Sequence, residues 1–213
     1  MDCWKKKEKI RKSIGIAGSV CGSGATHLSV ALANYAASAL GENTACLELG
    51  RQGEFAYWKT ASPKGYFKDA GIDYYPGMKM EHIPTLLNCG YETIIMDFGN
   101  DYQNCFGEIL RCDRKIILLN LNPWQEFAAK KLVQAVQSEK WGNTVPVYAG
   151  IHLHEPIKKA LEKEFQISIV KLPFIPDPTR INPEAFPCLD YLLGYNAANY
   201  KRRKALPPIW KKI

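Results

Sequence analysis

Residues 13–27, Ser13-Ile14-Gly15-Ile16-Ala17-Gly18-Ser19-Val20-Cys21-Gly22-Ser23-Gly24-Ala25-Thr26-His27, constrain the chain more than any other stretch. The apolar run 14–17 reads as a buried strand. A loop of small residues follows, with glycine at 18, 22 and 24, and a helical pattern then runs from Thr26 to Leu40 and stops at Gly41. Strand, small-residue loop and helix start make the architecture of a phosphate-binding loop. Glycines let the backbone approach a phosphate, and the helix N-terminus favours an anion. The charge such a loop needs is missing. In the pattern G-x-x-x-x-G-K-S/T, the lysine reaches the outer phosphates and the hydroxyl holds magnesium. Aligned on Gly24 and Thr26, Ser19 stands at the first glycine and Ala25 at the lysine, while Thr26 keeps the hydroxyl. The bland alternative is a glycine-rich turn in an ordinary α/β protein.

The rest of the chain is consistent with that start. Its 213 residues suffice for one α/β domain with a full core, and 46% hydrophobic with 23% charged residues suits a globular chain. No apolar run approaches the ~20 residues of a membrane span, and the basic start Met1-Asp2-Cys3-Trp4-Lys5-Lys6-Lys7 is followed by no hydrophobic signal region, so the chain reads as not secreted. Seven cysteines, an odd number with no C-x-x-C pair, argue for reduced thiols in a cytosol, with neither disulfides nor a zinc site. Much of the net charge of +7 sits in Lys5, Lys6, Lys7, Lys9, Arg11 and Lys12 at one end and Lys201, Arg202, Arg203, Lys204, Lys211 and Lys212 at the other. Such runs suit an acidic partner, an anionic membrane surface or nucleic acid, or merely solubilise frayed ends.

Taken in order, further strands are expected at 44–49, 72–75 (at a sheet edge), 93–97, 115–119, 146–151 and 167–171, and helices at 81–89, 103–110, 124–138, 156–165 and 190–204. In the helix 124–138, Phe127, Leu132, Val133 and Val136 are available to the core. Residues 54–71 are aromatic without a clear period; Tyr57, Trp58, Tyr66 and Phe67 are expected to pack, with a lid or partner surface as the alternative. Strands alternating with helices predict a doubly wound, mostly parallel sheet with helices on both faces. Ligands in such sheets sit beyond the strands' C-terminal ends, where the loops 18–26, 48–53 and 97–100 fall.

From about residue 14 to about residue 176, the order of these loops resembles the ParA/MinD family of P-loop ATPases. Gly22-Ser23-Gly24-Ala25-Thr26-His27 stands where that family has glycine-valine-glycine-lysine-threonine-threonine. Residues 47–53, Leu-Glu-Leu-Gly-Arg-Gln-Gly, match its aspartate-x-aspartate-proline-glutamine-glycine stretch, residues 91–97 its Walker B strand, and Leu172-Pro173-Phe174-Ile175-Pro176 its late proline loop. The resemblance implies a P-loop NTPase fold over a single domain, 1–213, with basic tails at 1–12 and 201–213. It implies a nucleotide site at Gly22, Ser23, Gly24, Ala25, Thr26 and His27, with Thr26 and Asp97 on magnesium. Val20 and Ala25 stand at the family's two lysines, Glu48 replaces the first aspartate and Gly50 the water-positioning second. No clear equivalent of the adenine-reading asparagine occurs near 147–150. Arg51 or His27 would have to supply charge from new positions, although Arg51 is expected to face solvent and His27 to cap or pack on the helix.

Losing a single group of this kind typically costs ~10²-fold or more in rate. The reading is therefore a degenerate ParA/MinD-like positioning or interaction module with weak or no ATP hydrolysis and no assigned catalytic residue. It binds ATP or ADP with magnesium weakly or not at all. Lysine-poor members resemble localisation proteins of Tad-type pilus and related secretion systems. That implies a protein partner from secretion, pilus or partition-type machinery, a homodimer, or a membrane surface or nucleic acid contacted through the tails. The expected location is the cytoplasm or the inner face of the membrane. The alternative is an active, nucleotide-switched ATPase that dimerises and associates with membrane, DNA or a secretion apparatus.

Overall fold

Three of the apolar runs lie side by side at the centre of one sheet. In the computed structural model, which describes residues 11–50, 53–142 and 144–195, they are β1 (Lys12–Gly18), β5 (Thr93–Asp97) and β6 (Arg114–Asn120). β1 pairs in parallel with both neighbours: Ile14 stands opposite Ile95 on one side, and Ile16 opposite Ile116 on the other. Around them stand β2 (Thr44–Glu48), β3 (Phe67–Asp69), β4 (Ile72–Tyr75), β7 (Val147–Ile151) and β8 (Ile169–Lys171). The order across the sheet is β3-β4-β2-β5-β1-β6-β7-β8, and every pairing is parallel except β3 with β4.

Both faces are covered, which is why the central strands carry the near-continuous apolar runs Ile14–Ala17, Ile94–Met96 and Ile116–Leu119. Alternate side chains feed two cores. Ile14, Ile16, Cys46, Ile95, Ile116 and Leu118 pack against α1 (Ala25–Asn34), α2 (Glu54–Trp58) and α7 (Phe186–Leu192). Ala17, Leu47, Ile94, Met96, Ile117 and Leu119 pack against α3 (Ile83–Leu87), α4 (Tyr102–Arg111), α5 (Glu126–Gln137) and α6 (Glu155–Phe165). α1 carries the chain from β1 to β2 over one face. α4 carries it from β5 past β1 to β6 over the other. The winding therefore reverses beside β1, and a crevice opens beyond the C-terminal end of that strand.

Several expectations are corrected. β4 is not at the edge: the antiparallel β3, unread in the sequence, covers it, with Phe67 stacked on Tyr74 at 5.2 Å and Lys68 paired to Asp73 at 2.9 Å. The helix expected over 26–40 begins at Ala25 and changes after Asn34 into a π-helical stretch, Tyr35–Ala39, in which Leu40 N–H donates to the Tyr35 carbonyl. Phe127 is exposed, because the buried stripe of α5 is Ala129, Leu132, Val133 and Val136 and Phe127 falls off that spacing. Trp58 and Phe67 pack around Tyr74 and Tyr66 packs on Tyr75, whereas Tyr57 projects into solvent. The last described helix starts at Phe186, four residues earlier than expected, with Pro187 in its first turn where no amide is needed; residues 196–204 of the expected helix lie outside the described residues.

Lys12, at the start of β1, and Tyr195, the last described residue, meet at the end of the sheet opposite the crevice. The Lys12 ammonium sits 3.5 Å from the centre of the Tyr195 ring, the Tyr195 hydroxyl bonds Glu42, and Arg114 Nη2 donates to the Tyr191 carbonyl at 2.9 Å.

Candidate functional site

The site begins where β1 stops. Gly18 N–H donates to the Gly99 carbonyl at 2.7 Å and Ser19 N–H to the Leu118 carbonyl at 2.9 Å, so the start of the loop is pinned to both neighbouring strands. The chain then turns through Gly22 and Gly24, at φ 73° and 82°, both in the left-handed region that glycine adopts without strain. Gly24 caps α1, whose first turn has no side-chain cap. A Cβ on Gly18 would lie 1.8 Å from the Ser23 hydroxyl, so Ser23 folds back over the end of β1 and excludes any side chain there. The strict glycine is therefore Gly18, one residue before the position that sequence alignment marks.

Gly22, Ser23, Gly24, Ala25, Thr26 and His27 line a cavity of about 150 Å³ closed by Val20, Gly99, Asn100 and Glu54. Thr26 and Asp97 also meet. The Thr26 hydroxyl bonds the Asp97 carboxylate, and Gly99 N–H donates to Asp97 Oδ1 at 2.9 Å. Asp97 is buried, and no lysine or arginine among the described residues pairs with it. Burial pushes its pKa up to about 6; the bonds from Thr26 and Gly99 oppose the rise, and the charges of Glu48 and Glu54 add to it. A hydroxyl and a carboxylate side by side are oxygen donors of the kind magnesium takes, with the remaining positions left to water and phosphate. The residues present thus fit that ion.

The other positions differ. Glu48 is spent on the fold: its carboxylate accepts from Phe55 N–H at the start of α2 and from Gly77 N–H, each at 3.1 Å. Gly50 packs backbone against backbone, and a Cβ there would lie 3.3 Å from Gly99 Cα and N. An aspartate at that position would push the two loops apart. His27 Nε2 lies 2.8 Å from the Ile175 carbonyl, to which it donates, tying α1 to the loop after β8. Arg51 lies outside the described residues.

A second cavity of about 410 Å³ continues from Gly22, Gly24 and His27. Its walls are the tips of β7 and β8: Ile151, His152, Leu153, Lys171, Leu172, Pro173, Phe174 and Ile175. His152 holds φ 48°, left-handed backbone on a residue with a side chain. Sequence reasoning missed this cavity. The loop 172–176 was matched only as a proline loop, and nothing in the sequence places the 150–153 turn beside it.

No family model matches the sequence, and no curated protein matches it. Solved structures do. A putative plasmid partition protein from Borrelia burgdorferi, bound to AMPPNP, superposes with a TM-score of 0.62 at 14% identity, covering 86% of this chain and 97% of that one. McdA from Cyanothece, solved as an ATP complex, gives 0.62 at 11%, covering 87% and 97%. The MinC:MinD cell division complex from Aquifex aeolicus gives 0.58 at 16%, covering 92% and 98%. The eight-stranded, mostly parallel sheet is thus that of the ParA/MinD-type P-loop ATPases. At these identities the likeness establishes the fold.

Proposed function

We propose that this chain is a degenerate ParA/MinD-like domain, a positioning or interaction module that hydrolyses ATP weakly or not at all. One observation carries the reading. The cavity at the phosphate loop has Val20 and Ala25 where the resemblance places lysines, and among the described residues the one carboxylate in its lining is Glu54. Phosphoryl transfer is catalysed by positioning and by neutralising phosphate oxygens. Among the described residues no lysine or arginine lines the place where those oxygens would lie, and none of them pairs with the buried Asp97 behind it. Removing one stabilising donor costs ~10²–10³ in turnover, and here two cations and the water-positioning acid are absent together.

Nucleotide, if held, lies against Gly22, Ser23, Gly24, Ala25, Thr26 and His27, with magnesium on Thr26 and Asp97, where the ion would screen the charge of the outer phosphates. The retained Thr26–Asp97 pair is the observation that favours the alternative, an active nucleotide-switched ATPase that dimerises. A protein partner follows by analogy with the neighbour solved with MinC bound, and placement in a Tad-type pilus or related secretion system rests on analogy alone. The chain acts as a single domain whose basic tails bring it to an acidic surface in the cytoplasm or at the inner face of the membrane. No described helix is long and apolar enough to cross a membrane.

Calorimetry with ATP and magnesium, paired with a phosphate-release assay, tests the reading. The expected result is release indistinguishable from the protein-free control. Turnover that disappears on Thr26→Ala or Asp97→Ala would establish the active ATPase instead.

A further inference from the structure

We propose that the groove between α3 and α4 is the seat of this chain's own N-terminal segment, residues 1–10, with the indole of Trp4 filling it. The proposal is independent of whether the phosphate loop retains nucleotide.

The groove follows from the shortness of α3. Its five residues, Ile83–Leu87, cover the sheet beside the ten of α4, and a cavity of about 270 Å³ is left between the two helices. The apolar lining is Ile83, Pro84 and Leu87 of α3, Met96 of β5 and Cys112. The polar side chains around it have partners within the protein. Ser13 Oγ donates to Asp113 Oδ2 at 2.7 Å, Arg111 pairs with Glu108, and the Cys112 thiol donates to the Glu108 carbonyl at 3.4 Å. A bound water or a polar ligand needs several polar partners. What this groove offers a newcomer is apolar surface, so it selects an apolar side chain.

The chain itself supplies one. The described residues begin at Arg11, and the Arg11 guanidinium donates to the carbonyl of Leu87, on the wall of the groove. Lys12 N–H then donates to the Glu92 carbonyl at 2.9 Å as β1 begins. The ten residues before Arg11 therefore start at the rim. Trp4 is the largest apolar side chain among them. An indole suits a wall that holds the thioether of Met96, because sulfur packs favourably against aromatic rings. Trp4 precedes Arg11 by seven residues. At ~3.3–3.6 Å per extended residue that gives about 23–25 Å of reach, against the ~8–10 Å that separates packed helix axes. Seating Trp4 in the groove also holds Lys5, Lys6 and Lys7 on this flank of the domain, as one basic patch rather than a loose end.

Trp4→Ser on the full chain tests the proposal by melting and by fluorescence. Losing a seated indole should lower the melting temperature by ~6–12 °C, against less than ~2 °C for an exposed substitution such as Lys6→Ser. The emission of Trp4, taken as the parent spectrum minus that of Trp4→Ser, should lie at the short wavelengths of a buried indole; the other four of the five tryptophans cancel in the difference. Leu87→Ala removes part of the wall, and Trp4→Ser in that background should lower the melting temperature less than it does alone. Circular dichroism matching the parent verifies that each variant folds. Solvent-exposed emission of Trp4, a melting temperature that Trp4→Ser does not move, or losses that simply add in the double variant would each overturn the proposal. A loss that appears only as protein concentration rises would place the segment on a neighbouring copy and overturn it as well.

Discussion

Replacing Asp97 by asparagine should make this protein more stable at neutral pH, although the residue sits at the heart of the candidate site. The carboxyl is 1% exposed, and burial pushes its pKa from 3.8 up to about 6. A raised carboxyl pKa means the folded state holds the proton more tightly than the unfolded chain does. The stabilising contribution is present below pH 4 and is lost as pH rises through about 6. Two pH units of separation correspond to about 3 kcal/mol of destabilisation above pH 6, at ~1.4 kcal/mol per unit. Asparagine keeps the geometry. Its Oδ1 accepts from Gly99 N–H as Asp97 Oδ1 does, and its amide nitrogen donates to the Thr26 hydroxyl. It carries no charge to desolvate. Thermal unfolding of parent and Asp97→Asn from pH 4 to pH 8 measures the difference directly. The curves should nearly coincide at pH 4 and separate steadily between pH 4 and pH 6, reaching ~6–12 °C in favour of the variant by pH 7.5. A variant less stable than the parent at pH 7.5, or a gap that does not change with pH, would show that a cation compensates Asp97 and that the account of an acid left alone is wrong.

Gly18→Ala should cost ~1–3 kcal/mol in urea denaturation, because its Cβ would overlap the Ser23 hydroxyl, and Ser23→Ala on the same chain should restore part of the loss. An unchanged urea midpoint would mean that Ser23 does not fold over β1. Val20→Lys combined with Ala25→Lys returns two cations to the loop and should raise affinity for ATP with magnesium by about tenfold or more, read by calorimetry. No change in that affinity would count against the registration of residues 20–26 on the phosphate loop.

What could be read beforehand follows from how local each constraint is. β1, β5 and β6 were legible because a strand covered on both faces must be apolar throughout, and Ile14–Ala17, Ile94–Met96 and Ile116–Leu119 are. β3 was not, because Phe67–Asp69 is three residues held by the partner strand and by the Lys68–Asp73 pair rather than by its own pattern. Gly22 to Thr26 and Asp97 were found because small residues before a helix and an acid ending an apolar strand are local signals. Two features of the site were not. The steric demand on Gly18 comes from Ser23, five residues on, and the large cavity is assembled from strand tips at 150–153 and 171–175 that share no motif. The role of Glu48 was equally hidden, since the amides it accepts from, Phe55 and Gly77, lie in separate segments of the chain.

The contact between Lys12 and Tyr195 has a consequence for orientation. Lys12 and Tyr195 lie at one pole of the domain, and the residues that line both cavities lie at the opposite pole, at the C-terminal ends of the strands. Most of the excess positive charge of the sequence is carried by residues 1–12 and 201–213. A copy gripped from the side of Lys12 and Tyr195 would turn the strand tips that carry both cavities away from whatever grips it.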